Sequence, residues 1–395
     1  MRWDYPWGKG FQYLFSYGAN LGASILVLPL ILRNYDLGIW NSVAIGSSLG
    51  ALAAILIEGG WNFNGPGLHQ KYRSDASHLL LKNSLRHRFY TCLVVVSILL
   101  PACWILSSQY SPLFSCMVAL AFATTGFNLN WIYIRGGEGQ KVLLFDAVPR
   151  IVSTLLIWIS LICHLSIFIY PVIMLITNLI SPTLTFRSHR EFSQQHKIAE
   201  IQELKIFSLS FRMNVVIGIY NSSLIPLTSI LVPLELSAYS LLDRIQKTIF
   251  GFASSFLAPL QFWIFNSSGE PHKFRRVNRL AMLTATINAS LFYLTIPKIT
   301  SWAFPKIDDI PDLWWIFASM NFAIVLMNRI YTFSYLIPLG EIKNVYKAIK
   351  YSGIIFALIV VLLPAFGVTA ALFGLLSQQI YLMSSFYQQI SKLKI

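Results

Sequence analysis

The sequence predicts an all-α polytopic membrane protein of about 12 transmembrane helices with both termini cytoplasmic. Three observations carry this. The 395 residues are 55% hydrophobic and only 12% charged, with a mean hydropathy of +0.61. The apolar residues gather into runs long enough to cross a bilayer. Lys and Arg recur in alternate connections between those runs.

The charge deficit comes first, because soluble domains carry about 25% charged residues. A chain this poor in charge uses lipid as its solvent. The formal charge of +14 arises from 30 Lys and Arg against 16 Asp and Glu. It does not indicate nucleic acid, because cytoplasmic loops of membrane proteins carry a basic excess. The four cysteines, Cys92, Cys103, Cys116 and Cys163, fall in apolar runs without metal spacing or a histidine partner. They read as buried thiols, and neither a cofactor nor a metal is expected. Residues 10–32 are too long for the apolar part of a signal peptide, and no A-x-A site follows.

A spanning helix needs about 20 apolar residues. Twelve candidates lie near 10–32, 38–60, 88–107, 112–134, 142–163, 165–186, 206–231, 236–263, 280–303, 312–337, 349–367 and 369–390. The charges orient them. The connection 61–87 holds Lys71, Arg73, Lys82 and Arg86; 187–205 holds Arg187, Arg190, Lys197 and Lys205. The connection 264–279 holds Lys273, Arg275, Arg276 and Arg279, and 338–348 holds Lys343 and Lys347. The opposite side carries only Arg33, Lys298 and Lys306, with Asp308, Asp309 and Asp312 near the last. The positive-inside rule therefore places both ends in the cytoplasm. The outer connections are too short to fold as a domain, so any chemistry belongs between helices or at their ends.

The halves resemble each other. Pro29 precedes Leu37-Gly38-Ile39-Trp40, and Pro226 precedes Leu236-Ser237-Ala238-Tyr239. Each is a proline, a short polar break, then a small residue and an aromatic opening the next span. The division expected is an N-terminal six-helix lobe, 1–196, and a C-terminal one, 197–395. Parallel repeats of this kind enclose a central site in several transporter folds.

Ionisable residues inside spans are costly and mark polar pathways or paired interiors. They are Asp146 and Arg150 in the fifth span, Arg212 in the seventh, Asp243, Arg244 and Lys247 in the eighth, and Arg329 in the tenth. Glu58 closes the second. Asp146 and Arg150 are four apart, as are Asp243 and Lys247, so each pair shares a helix face. With those two pairs set aside, Arg212, Arg244 and Arg329 are left without an obvious acidic partner in their own helices. Their guanidinium forks suit phosphate. Snorkelling to the headgroups is the other reading for Arg212. Amides accompany them, among them Asn20, Asn128, Asn130, Asn214, Asn221, Asn321 and Asn328, as sugar contacts or as glue between helices. The glycine-rich stretch Gly136–Lys141 lacks the spacing and context of a phosphate loop.

Local segments resemble the O-antigen flippase (Wzx-type) family of the multidrug/oligosaccharidyl-lipid/polysaccharide (MOP) transporter superfamily. They are Leu28-Pro29-Leu30-Ile31-Leu32-Arg33 with Leu37-Gly38-Ile39-Trp40, Glu58-Gly59-Gly60-Trp61-Asn62-Phe63-Asn64-Gly65, Asn130-Trp131-Ile132-Tyr133-Ile134-Arg135-Gly136-Gly137-Glu138, and Tyr239-Ser240-Leu241-Leu242-Asp243-Arg244-Ile245. Arg135 stands where that family usually has Gln, and Gly60-Trp61 interrupts its acidic-Gly-Phe pattern. The resemblance implies two six-helix lobes around a central cavity in the bacterial inner membrane. It implies a lipid-linked oligosaccharide as substrate and alternating access as the mechanism, with no enzyme activity. The substrate contacts expected are Arg212, Arg244, Arg329, Lys247, Arg150, Asn20 and Asn221. Asp146, Asp243 and Glu58 are candidates for ion coupling. Membrane lipids, a polysaccharide polymerase and chain-length components are the other partners it suggests. An intramembrane O-antigen polymerase or ligase, and a multidrug exporter of the same superfamily, are the rival readings.

Overall fold

Asp36 begins the first complete helix: its carboxylate accepts the Ile39 N–H at 2.8 Å, filling one of the donors a helix start leaves open. In the computed structural model, which describes residues 26–61, 77–136, 139–188, 204–265, 271–307, 310–336 and 341–392, that helix is α2, Leu37–Glu58. A helical stretch at 26–34, α1, precedes it. Gly59 closes α2 with φ +62° and returns its N–H to the Ile55 carbonyl. The positive φ favours glycine, and a Cβ at Gly59, 2.4 Å from the His87 ring, would also have to push that exposed side chain aside.

Then follow α3 (Ser77–Leu106), α4 (Pro112–Ala123) with a 3₁₀ turn Thr124–Phe127, and the short α5 (Trp131–Gly136). Gly139–Val142 and Val148–Ile162 are joined through a π turn, Leu143–Ala147, into one helix, α6. Next come α7 (Ile169–Ser188), α8 (Leu204–Ser222) and α9 (Leu224–Leu231). The rest of the chain forms α10 (Leu236–Phe265), α11 (Pro271–Ala303), α12 (Asp312–Ile330) continuing as a π turn Tyr331–Leu336, α13 (Ile342–Val360) and α14 (Leu363–Lys392). No strand occurs among the described residues. Eight helices there are long and apolar enough to cross a membrane. The fold is all-α, as the sequence predicts.

The chain forms two compact units, one within Phe11–Ser229 and one within Ile230–Ile395. In the first, α2 is the central helix and packs against α3, α4 and α8. Small residues set that packing. A Cβ on Gly46 would sit 2.4 Å from the Ser115 carbonyl oxygen, and one on Gly50 2.4 Å from that of Ala119. Lipid tails are as apolar as leucine, so helix association rests on van der Waals contact, which missing side chains permit. Gly126 lies against Ala54, and Gly218 of α8 against Ile55, in the same way. Ser48 Oγ donates to the Ser222 carbonyl at 2.6 Å.

The second unit ties α14 to its neighbours. Asn328 Nδ2 of α12 donates to both the carbonyl (2.9 Å) and Oε1 (2.8 Å) of Gln379. Trp314 Nε1 donates to Thr369 Oγ1 at 3.0 Å. Near its start α14 bends at Gly367, whose φ is +61°. The Glu235 carboxylate accepts the Val368 N–H there at 2.6 Å. An acid stands just before each of Leu37 and Leu236, but Asp36 caps its own helix whereas Glu235 caps the restart of α14.

The main departures from the predicted spans are at helix ends. Helix α3 begins at Ser77 rather than 88, and α11 at Pro271 rather than 280. Lys82 and Arg86, and the backbone positions of Lys273, Arg275, Arg276 and Arg279, are therefore helical rather than loop. An apolar window finds only the lipid-facing length, while Lys and Arg are good helix formers that extend it into the interface. The span 112–134 breaks at 124–130, and 206–231 breaks at Ser223, three residues before Pro226. Most of span 10–32, with Asn20, lies outside the described residues, as do Lys71, Arg73, Arg190, Lys197, Asp308, Asp309 and Pro338.

Candidate functional site

The first unit holds a buried charged network. Asp146 is fully buried in the π turn of α6, and one turn on, Arg150 Nε lies 2.9 Å from its Oδ1. Asn130 Nδ2 donates to Asp146 Oδ2 at 2.7 Å, and Asn128 Nδ2 to Oδ1 at 3.4 Å. Arg150 Nη1 continues to Asn178 Oδ1 on α7 at 3.2 Å, and Asn178 Nδ2 to the Ala121 carbonyl of α4 at 2.8 Å. Three helices are thereby joined through one ion pair. An isolated carboxylate at this depth costs several kcal/mol; a paired and hydrogen-bonded one is tolerable.

Arg88 is a residue that reading by span missed. It is completely buried. Its Nη1 donates to the Gly126 carbonyl at 2.9 Å and also to that of Asn128. Those carbonyls need a donor because α4 tightens to 3₁₀ and then leaves the helix at Asn128. No water is available within a bilayer to supply one. Glu58, at the end of α2, acts on the Arg88 guanidinium electrostatically. In the sequence Arg88 is the first residue of the span 88–107 and has no patterned partner; its burial follows from α3 starting about three turns earlier, at Ser77. Asn178 was hidden for a different reason, since a single amide in an apolar run carries no pattern.

Two of the sequence segments meet beside this network. Trp61 stacks on Trp131 at 5.9 Å, both buried, in a cluster with Leu80, Leu81, Leu129, Ile132, Tyr133 and Val142. Residues 62–65 and 137–138 of those segments lie outside the described residues. On α8, Arg212 and Asn221 are exposed, and Arg212 makes no polar contact among the described residues.

The second unit holds the remaining candidates. Lys247 Nζ lies 2.7 Å from Asp243 Oδ2, with the lysine side chain 47% exposed and the aspartate 12%. This pair is more open than Asp146–Arg150. Arg244, between them in sequence, is half-buried. Arg329 of α12 is half-buried too, and its guanidinium sits over the Phe250 ring at 5.5 Å, a cation–π contact that helps hold a charge away from water. Phe250 meets Phe322 edge to face at 6.4 Å, so the arginine rests on a packed aromatic floor. The candidates thus fall into two groups, one inside each unit: Glu58, Asp146, Arg150, Arg212 and Asn221 in the first, and Asp243, Arg244, Lys247 and Arg329 in the second.

Comparison with known proteins gives a fold. No protein-family model matches the chain, and no curated protein does. Solved structures match over nearly the whole length. The eukaryotic MATE transporter AtDTX14 aligns with a TM-score of 0.63 at 12% identity, over 97% of this chain and 95% of that one. The Vibrio cholerae MATE transporter VcmN aligns with a TM-score of 0.60 at 10% identity, over 98% and 96%. A MOP superfamily transporter from Pyrococcus furiosus, described as having a binding pocket of reverse polarity that suggests a different function, aligns with 0.60 at 10% identity, over 99% and 97%. At such identities the likeness is one of fold: a MATE-like, all-helical architecture.

Proposed function

We propose that this chain is a flippase moving an undecaprenyl-pyrophosphate-linked oligosaccharide from the cytoplasmic to the periplasmic leaflet of the bacterial inner membrane by alternating access. The fold is one used by transporters, which favours transport over a polymerase or ligase. The observation that carries the choice of substrate is the fate of the acids. Of the 16 Asp and Glu, only Asp146 and Asp243 lie inside spans and away from helix ends, and each is bound by the base four residues on. An exporter of organic cations needs carboxylates for its cargo. Arginines and lysines within the same helices favour an anion instead. A diphosphate offers the guanidinium groups of Arg212, Arg244 and Arg329 their preferred geometry. Lys247, Arg150, Asn20 and Asn221 complete the contacts of this reading, and Asp146, Asp243 and Glu58 are its candidates for ion coupling. The P. furiosus neighbour's pocket of reverse polarity supports the view that one fold houses pockets of either sign.

The test is deletion in the native host with complementation. The expected result is loss of surface polysaccharide, with lipid-linked precursor of full repeat length retained on the cytoplasmic face. Precursor that reaches the periplasm as single unpolymerised repeats points to a polymerase. An unchanged polysaccharide with new sensitivity to organic cations points to a multidrug exporter. Either result overturns the proposal.

A further inference from the structure

The second unit has a polar groove that none of the transport residues enters. It lies between one end of α13 and the last turns of α14 and encloses about 350 Å³. Lys347 and Lys392 line it from the two helices, with Glu341, Tyr351, Tyr381 and Gln389 among the other walls. The lysines are exposed. Glu341 is already engaged, accepting from the Asn344 amide. Buried Gln389 Oε1 has no donor among the described residues.

What adjoins the groove indicates what fills it. Leading away along α13, Tyr351, Ile354, Leu358 and Val361 are all exposed at helical spacing. The series is a stripe down one helix face that begins at Tyr351 in the groove wall, and in a bilayer such a stripe meets acyl chains. The basic groove therefore sits at the head of an apolar track, with tyrosines at the junction, where aromatic residues mark the membrane interface. Basic pockets between membrane helices suit phosphate headgroups.

We propose that this groove is a binding site for an anionic phospholipid headgroup, its phosphate held by Lys347 and Lys392 and its acyl chains laid along the α13 stripe. A glycerol hydroxyl on such a headgroup supplies the donor that Gln389 Oε1 lacks. The site is independent of the transported substrate. It fixes α14 to the membrane surface at the end opposite the Gly367 bend.

The experiment uses the full chain in neutral detergent, titrated with short-chain phosphatidylglycerol, phosphatidylethanolamine, phosphatidylcholine and inorganic phosphate, and read by thermal unfolding and native mass spectrometry. Phosphatidylglycerol is expected to bind and stabilise in preference to phosphatidylcholine. Lys347→Gln with Lys392→Gln is expected to weaken it about thirtyfold, taking about 1 kcal/mol per basic residue at an anionic surface. The double Lys→Arg variant retains binding, and Lys298→Gln with Lys306→Gln leaves it unchanged. Equal effects of phosphatidylcholine or phosphatidylethanolamine overturn the preference for an anionic headgroup. Inorganic phosphate matching the lipid overturns the role of the acyl track. Binding indifferent to the Lys347 and Lys392 substitutions overturns the site.

Discussion

Gly367 and Glu235 meet across 132 residues of sequence: a Cβ on the glycine would lie 2.7 Å from Glu235 Oε1, while Oε2 accepts the next residue's N–H at 2.6 Å. The positive φ and the cap belong to one joint. It lets α14 change direction directly after its first turn without stranding a donor.

Gly367→Ala is expected to cost about 1–3 kcal/mol, from backbone strain and displacement of the carboxylate. Glu235→Ala is expected to cost about 1 kcal/mol as a lost cap. Because the two share one contact, the double variant should lose less than the sum. Unfolding of the purified chain in detergent measures all three, and strict additivity would argue against a shared joint.

Asp146→Asn leaves Arg150 charged and poorly paired among helices. Breaking a buried pair from one side costs about 3–5 kcal/mol. Arg150→Gln should cost a similar amount by stranding the carboxylate. The pair Asp146→Asn with Arg150→Gln removes both charges and is expected to recover much of the loss. A double variant as unstable as the two singles combined would show that the ion pair is not what joins α4, α6 and α7.

Helix α2 approaches α4 through Gly46 and Gly50, which face carbonyl oxygens of Ser115 and Ala119. A backbone carbonyl does not yield as a side-chain end does. Gly46→Val and Gly50→Val are each expected to cost roughly 3 kcal/mol or more and to abolish accumulation of folded protein. Gly38→Ala is the control, because the nearest atom to its Cβ is the Asp36 side chain at 3.3 Å. Normal membrane levels of either valine variant would contradict the close approach.

Arg212 is exposed on α8 and anchors nothing among the described residues, so its removal separates function from stability. Arg212→Gln is expected to leave protein levels within error and lower surface polysaccharide, with Arg212→Lys intermediate because ammonium lacks the bidentate fork. Arg88→Gln is the contrast: it strips the donor from Gly126 and Asn128 and should lower the protein itself. Full polysaccharide display by Arg212→Gln removes that residue from the substrate contacts.

Much of the fold was legible in one dimension. Lipid imposes a demand on every spanning residue independently, so apolar run length locates the helices, and four-residue spacing alone put Asp146 beside Arg150 and Asp243 beside Lys247. The glycine of the Glu58-Gly59 segment was visible too, though not its reason: a left-handed cap packed on His87.

The tertiary structure decided what depends on distant parts of the chain meeting. Arg88 is only the first residue of an apolar span until α3 is seen to start at Ser77 and bring it to the broken end of α4. Asn178 gains meaning only as the link from Arg150 to Ala121. Arg329 finds Phe250 on another helix, and Glu235 caps a helix that begins far along the chain. The sequence by itself determined which residues lipid would accept, because that is a property of each segment. Which polar groups would satisfy one another was decided by packing, because a hydrogen bond needs two partners and the second is set by the fold.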